Sequence, residues 1–309
     1  MPEASQWMEV SFEADNETTE VLVDLLHRYG HQGVVIEQAG FEIETWEDEI
    51  PVPETLKVRA YLPVNARTQD IQQQLRDALR YMRMIQPMPE PTFQLLDEED
   101  WAEAWKKHYQ PLRLGRRIYI RPRWIDVEAG ADDLVISLDP GMAFGTGTHP
   151  STQLCLVALE EIMQGRPGLS VLDLGSGSGI LSIAAARFQA TKVVALDTDE
   201  IAVQATLENA RFNNVDSMIH AQQGSLETVL HSARRFDLAL VNILAHVIIQ
   251  MCDQGLGQVI RPGGIGVFGG IIEDQADEVE TALRHTGLEP YKRRLSGDWV
   301  VIEAQRPLD

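Results

Sequence analysis

Between Val171 and Gly179 the chain reads VLDLGSGSG, an apolar run that breaks into Gly175, Gly177 and Gly179 immediately before a helical apolar repeat. Such a loop lets a ligand approach bare backbone and the N-terminal end of the following helix, where free N–H groups point outward. A dinucleotide fingerprint would need its third glycine at position 180, where the chain has Ile180, so pyrophosphate binding is disfavoured. Asp197 ends the next apolar run, 22 residues after Gly175, where a carboxylate can accept hydrogen bonds from both hydroxyls of an adenosine ribose. Asp199 is the candidate cap of a helix that begins at Glu200. A nucleoside without a pyrophosphate is the ligand these residues suit.

The elements that must position them form an alternation of strands and helices after Ser170: strands over Val171–Leu174, Lys192–Leu196, Ser217–Gln222, Phe236–Val241 and Ile265–Phe268, with helices over Ile180–Phe188, Glu200–Phe212, from Leu244, and over Glu273–His285. A parallel α/β sheet follows, closed by an antiparallel hairpin over Glu289–Arg294 and Trp299–Ala304. The first 96 residues have a different rhythm. Strands over Trp7–Phe12, Val34–Ile36, Phe41–Trp46, Leu56–Leu62 and Thr92–Leu96, with helices over Thr18–Tyr29 and Thr68–Met84, predict a small α+β, ferredoxin-like domain. Pro87, Pro89 and Pro91 break that pattern, and 97–110 is predicted as a linker helix bearing Trp101 and Trp105. The expected division is 1–96, 97–110 and 111–309. The stretch Lys106–Arg123, with seven Lys or Arg and no acid, reads as a solvated strand edge and is given no function.

The chain has 309 residues and a formal net charge of −21, which disfavours general binding of nucleic acid. Residues 1–100 carry 21 acidic and 7 basic side chains, so the first third holds two thirds of the excess and would attract a basic partner. The two cysteines, Cys155 and Cys252, form no CxxC, and the eight histidines show no metal-ligand spacing beyond His27/His31; no metal is expected. Neither a basic, apolar leader nor a run of about 20 apolar residues is present, which predicts a cytoplasmic protein without a membrane anchor.

The glycine motif, the acidic end of the second strand and the terminal hairpin resemble those of class I S-adenosylmethionine-dependent methyltransferases, a seven-stranded, Rossmann-like fold. Within that class, Asp139-Pro-Gly-Met-Ala-Phe-Gly-Thr-Gly-Thr-His-Pro-Ser-Thr152, followed by Val241-Asn-Ile-Leu-Ala245, resembles the methyltransferases of ribosomal protein L-eleven (L11). The resemblance implies that the N-terminal domain recognises the ribosomal protein and that the C-terminal domain methylates its amino groups, lysine side chains and the N-terminal α-amine, up to trimethylation. It places cofactor contacts at Thr152, Gly175, Asp197 and Asn242. S-adenosyl-L-methionine would be the cofactor, and the enzyme is expected to work as a monomer.

Each of these positions has its own chemical reason. Phe144 to Thr148 is rich in glycine and hydroxyls before a helix starting near Pro150, suiting a flap over a ligand, and Thr152 in the first turn can donate to the methionyl carboxylate. Phe144, Thr148 and Gly177 join the cofactor set on this basis. Asn242 follows an apolar strand at the carboxyl edge of the sheet, where its amide oxygen can accept from an amine; it is the candidate catalytic residue. His149 is given a loop-ordering role. A lysine nucleophile with an ordinary pKa near ~10.4 must lose its proton, by desolvation and by alignment against neutral acceptors.

Other readings of the same catalytic domain are another protein or a small-molecule amine as acceptor. Arginine methylation would need paired glutamates where Asn242-Ile-Leu-Ala-His246 stands, and base methylation an Asn-Pro-Pro-aromatic tetrapeptide whose prolines and aromatic are missing here. A non-catalytic S-adenosylmethionine sensor and a dehydrogenase are the readings from other classes.

Overall fold

The computed structural model describes residues 6–27, 31–38, 56–65, 67–84, 87–97, 110–139 and 147–308. These divide into two compact units that meet in sequence at Gln110 and Pro111. The predicted strand over Phe41–Trp46 and residues 98–109 of the predicted linker helix lie outside the described residues.

The first unit contains β1 (Gln6–Ala14), α1 (Asn16–His27), β2 (His31–Gln38), β3 (Leu56–Pro63), α2 (Thr68–Met82) and β4 (Thr92–Asp97). Its sheet has the order β2-β3-β1-β4 with every pair antiparallel. Val10, Phe12, Val58, Ala60 and Leu62 alternate onto one face and pack with Leu22, Leu25 and Leu26 of α1 and Leu75 and Leu79 of α2. This is what period-2 and period-3.6 apolar patterns produce when both faces bury against one another. Asp97, read from sequence as the start of the linker, is instead the last residue of β4, opposite Gln6.

The second unit opens with a three-stranded sheet, β5 (Leu112–Leu114), β6 (Ile118–Pro122) and β7 (Leu134–Leu138), antiparallel then parallel. Helix α3 (Pro150–Met163) follows, and then β8 (Ser170–Leu174), α4 (Ile180–Arg187), β9 (Lys192–Asp197), α5 (Glu200–Phe212), β10 (Ile219–Gln223), α6 (Leu226–Ser232), β11 (Phe236–Asn242), α7 (Ala245–Asp253), β12 (Ile260–Ile272), α8 (Ala276–His285), β13 (Glu289–Ser296) and β14 (Trp299–Gln305). The large sheet runs β10-β9-β8-β11-β12-β14-β13. All pairs are parallel except those made by β14, which is antiparallel to both β12 and β13.

Apolar runs in β8, β9 and β11 bury both faces. Val171, Val193, Ala195, Leu238 and Leu240 pack beneath α3 and α4, while Leu172, Leu174, Val194, Leu196, Ala239 and Val241 pack against residues of α6, α7 and α8. A doubly covered sheet is the reason these strands read as continuous apolar runs rather than alternating ones. The carboxyl ends of β8, β9 and β11 bring Gly175, Asp197 and Asn242 to one edge of the sheet.

Candidate functional site

The glycine loop leaves β8 with Gly175, Gly177 and Gly179 at φ values of +76°, +53° and +81°. A Cβ on Gly175 would stand 2.5 Å from Ile243 Cγ2, so only glycine combines this conformation with so close an approach to the end of β11. The Gly175 and Ser176 N–H groups donate to the Leu196 carbonyl at 2.8 and 3.1 Å, and Gly177 N–H donates to Asp197 Oδ2 at 2.9 Å. Asp197 Oδ1 accepts from Asp199 N–H at 3.0 Å. An ionised carboxylate offers about four lone-pair sites, so the half-buried Asp197 retains acceptor capacity for a ligand's hydroxyls. As expected from sequence, Asp199 caps α5, its Oδ1 accepting Ile201 N–H at 2.9 Å.

Beneath the loop are groups the sequence reading did not single out. Asp173 is only 1% exposed and accepts the Ser182 hydroxyl at 2.5 Å. Burial pushes its carboxyl up to about 7; the Ser182 hydrogen bond opposes this and the Asp197 charge adds to it. The Thr206 hydroxyl donates to the Gly177 carbonyl at 3.0 Å and lies 3.1 Å from Ser176 Oγ. Asp173 was visible as the single charge within an apolar strand; Thr206 becomes recognisable only when α5 is laid against the loop.

The opposite wall joins α3 to β11. His149 caps α3, its Nδ1 accepting Ser151 N–H at 3.3 Å and lying 2.8 Å from Ser151 Oγ, with its ring edge-on to Trp299 at 4.4 Å. Desolvation lowers its pKa to about 4, so the imidazole is neutral at pH 7 and too weak a base to deprotonate an ammonium. Thr152, in the first turn, is buried and accepts from Asn242 Nδ2 at 3.2 Å. Asn242 Oδ1 is buried and has no partner among the described residues. Gly269, beside Asn242 in the sheet register, makes room: a Cβ there would fall 2.7 Å from Oδ1 and 2.5 Å from Cys155 Sγ. The Thr148 carbonyl accepts from Gln153 Nε2 at 2.9 Å. Phe144 lies outside the described residues.

Five of the sequence candidates, Thr152, Gly175, Gly177, Asp197 and Asn242, are therefore on the loops and helix ends at the carboxyl edge of one sheet, with Thr148 just before α3. Neutral acceptors and a carboxylate dominate this edge, an orphaned amide oxygen is buried in its wall beside Gly269, and bare glycines form its floor. That donor set fits a cationic sulfonium nucleoside. Among the described residues no group of three or more His, Cys, Asp or Glu could hold a metal ion.

Sheet order, glycine loop and acidic second-strand end define a class I S-adenosylmethionine-dependent methyltransferase. The family model for ribosomal protein L11 methyltransferase (PrmA) matches residues 6–307. The ribosomal protein L11 methyltransferase of Herpetosiphon aurantiacus is 39% identical, covering 98% of this chain and 100% of that protein, and that of Chloroflexus aurantiacus is 38% identical, covering 99% of each. A crystal structure of a ribosomal protein L11 methylase from Lactobacillus delbrueckii subsp. bulgaricus, 34% identical, superposes with a TM-score of 0.59 over 64% of this chain and 100% of that one. The chain belongs to the ribosomal protein L11 methyltransferase family, and its cofactor is S-adenosyl-L-methionine.

Proposed function

We propose that this enzyme transfers methyl groups from S-adenosylmethionine to amino groups of ribosomal protein L11, at lysine side chains and at the N-terminal α-amine. The observation that carries the amine assignment is the buried, unpartnered Asn242 Oδ1 at the end of β11. When bound, S-adenosylmethionine supplies a methyl group on a sulfonium centre whose charge disappears on transfer, so the site needs no acid for the leaving group. Asp197 holds the ribose hydroxyls and Gly175 and Gly177 let the ligand lie against backbone. Thr152 donates to the methionyl carboxylate from the N-terminal turn of α3.

Asn242 has the alignment task. Its Nδ2 is fixed on Thr152, which points Oδ1 in one direction, and that oxygen accepts one N–H of a neutral amine while the lone pair is turned elsewhere. The proton lost beforehand goes to water, helped by desolvation of the ammonium. His149 takes no part in that transfer, since its neutral ring is committed to capping α3. Thr148, just before α3, is proposed as a cofactor contact, and Phe144 is proposed with it from the sequence motif.

Within the first unit, the part through β4, which ends at Asp97, is proposed as the ferredoxin-like substrate-recognition domain, with 98–110 as linker helix and 111–309 as catalytic domain. The βαββαβ succession and the order β2-β3-β1-β4 support the fold reading, and the acidity of residues 1–100 suits a basic ribosomal protein. A cytoplasmic monomer acting without direct nucleic-acid contact is the state we propose; no helix among the described residues is long and apolar enough to cross a membrane. Incubation with radiolabelled S-adenosylmethionine and undermethylated ribosomal proteins, resolved on a gel, tests the acceptor. One labelled band at L11 supports the proposal, and label on other proteins only, or on none, rejects it.

A further inference from the structure

Asn209, in the last turn of α5, is fully buried and makes hydrogen bonds to three separate segments. Its Nδ2 donates to the Ser178 carbonyl of the glycine loop at 2.8 Å. Its Oδ1 accepts from Asp139 N–H, just past β7, at 3.2 Å and from Arg123 Nη2, just past β6, at 2.9 Å. Arg123 in turn lies 4.7 Å over the Phe212 ring and 3.7 Å from Asp139 Oδ2. One turn on, Asn213 makes a similar pair of bonds to β7, Nδ2 donating to the Ser137 carbonyl at 2.7 Å and Oδ1 accepting Ser137 N–H at 2.9 Å, and its Nδ2 also donates to the Asn209 carbonyl at 2.8 Å.

The two asparagines thus divide the work. Both fasten β7 to α5, but only Asn209 reaches the loop on which the cofactor lies. A buried amide whose donor and acceptor are both used has one orientation, because turning it over would set like groups against the Ser178 carbonyl and the Asp139 N–H. We infer that Asn209 is a positioning residue for methyl-donor binding: it sets the height of the Ser178–Gly179 backbone against the end of β7, and so the seat of S-adenosylmethionine. The inference rests on the cofactor site proposed above.

Asn209→Asp tests it with almost no change of shape. The new carboxylate still accepts from Asp139 and gains attraction to Arg123, but it sets an oxygen against the Ser178 carbonyl. Asn213→Asp is the comparison, damaging the β7 fastening and the bond to the Asn209 backbone carbonyl without touching the loop. Affinity for S-adenosylhomocysteine by calorimetry, the ligand-free thermal midpoint, and kcat and KM with L11 are read for both. Asn209→Asp is expected to raise the cofactor Kd and the KM for S-adenosylmethionine about tenfold with kcat changed less than about threefold, while Asn213→Asp leaves Kd within about twofold. Should Asn209→Asp not fold, Arg123→Gln reads the same link from its outer end and is expected to raise Kd about threefold. Unchanged Kd in the folded Asn209 or Arg123 variant, or equal loss of affinity in Asn209→Asp and Asn213→Asp, overturns the inference. Asp197→Ala separates the two levels: if it binds as tightly as wild type, the site reading itself has failed, and if it alone loses binding, only the role of Asn209 has.

Discussion

His149 and Asp173 are buried on opposite walls of the cofactor site and titrate in opposite senses. His149 has a folded pKa of about 4 against an ordinary 6.5, so between those values the unfolded chain takes up a proton that the folded one refuses, and stability is lost as pH falls. Asp173 stands at about 7 against 3.8, so the folded chain holds the extra proton and stability is lost as pH rises through that range. In the wild type the two contributions offset one another over much of the window. Single variants should expose them. Asp173→Asn is expected to be more stable than wild type at pH 8, by about 2 kcal/mol, with the gain gone near pH 4. His149→Gln is expected to lose less stability than wild type on acidification from pH 6.5 to 4.5. Urea denaturation at pH 4.5, 6 and 8 measures both.

The same two residues show where sequence reading reached and where it stopped. Asp197, Gly175 and Gly177 were legible because loop, strand end and spacing are local properties. The helix cap at Asp199 was legible for the same reason. His149 was noticed, but its capping bond sits under Trp299, which approaches from the far end of the chain. Asn209 went unmarked because its partners lie 31, 70 and 86 residues away.

Among the elements, six strands of the large sheet were anticipated to within two residues at each end, the apolar runs of β8, β9 and β11 standing out because they are buried on both faces, whereas β12, read as Ile265–Phe268, runs Ile260–Ile272. The antiparallel terminal hairpin was expected as well. Of the three-stranded sheet, β5 and β6 fell in the stretch read only as an exposed strand edge, because strands of three to five residues with interleaved arginines carry a weak apolar pattern, and β7 was not read. Helix α6, seven residues long, fell below the length at which helical periodicity is readable.

The terminal hairpin is tied to α3 by charge. Arg294 donates to the buried Glu303 at 2.6 Å and to Glu161 at 2.6 and 2.9 Å, Lys292 reaches Glu161 at 2.9 Å, and the Tyr291 hydroxyl donates to Glu303 at 2.9 Å. Glu303 is 3% exposed, so its ion pair cannot be removed one-sidedly without leaving a buried charge uncompensated. Arg294→Leu is therefore expected to destabilise the protein by about 3 kcal/mol, seen as a lower denaturation midpoint, whereas Glu161→Gln, at a half-exposed position, should cost under about 1 kcal/mol. Comparable losses in the two variants would contradict this division.

At the scale of the whole molecule, the distribution of charge is the feature that bears on substrate. An excess of −14 over residues 1–100 gives the N-terminal third a field that a basic protein would follow. Screening shortens that field to about 8 Å at physiological salt. Raising salt from 50 to 300 mM should thus increase the KM for L11 several-fold while leaving the cofactor Kd nearly unchanged. Equal effects on both would show that salt acts on the catalytic site rather than on substrate capture.

Intact mass spectrometry of L11 reads the enzyme, its acceptor protein and the Asn242 amide together. Purified L11 is incubated with S-adenosylmethionine and either wild-type enzyme or Asn242→Ala, and the products are weighed over time. Wild type should add successive methylene increments of about 14 Da, at a rate at least about a hundredfold above the variant, whose cofactor binding should fall far less. L11 that gains no mass from the wild type, or gains it equally fast from Asn242→Ala, would contradict the claim.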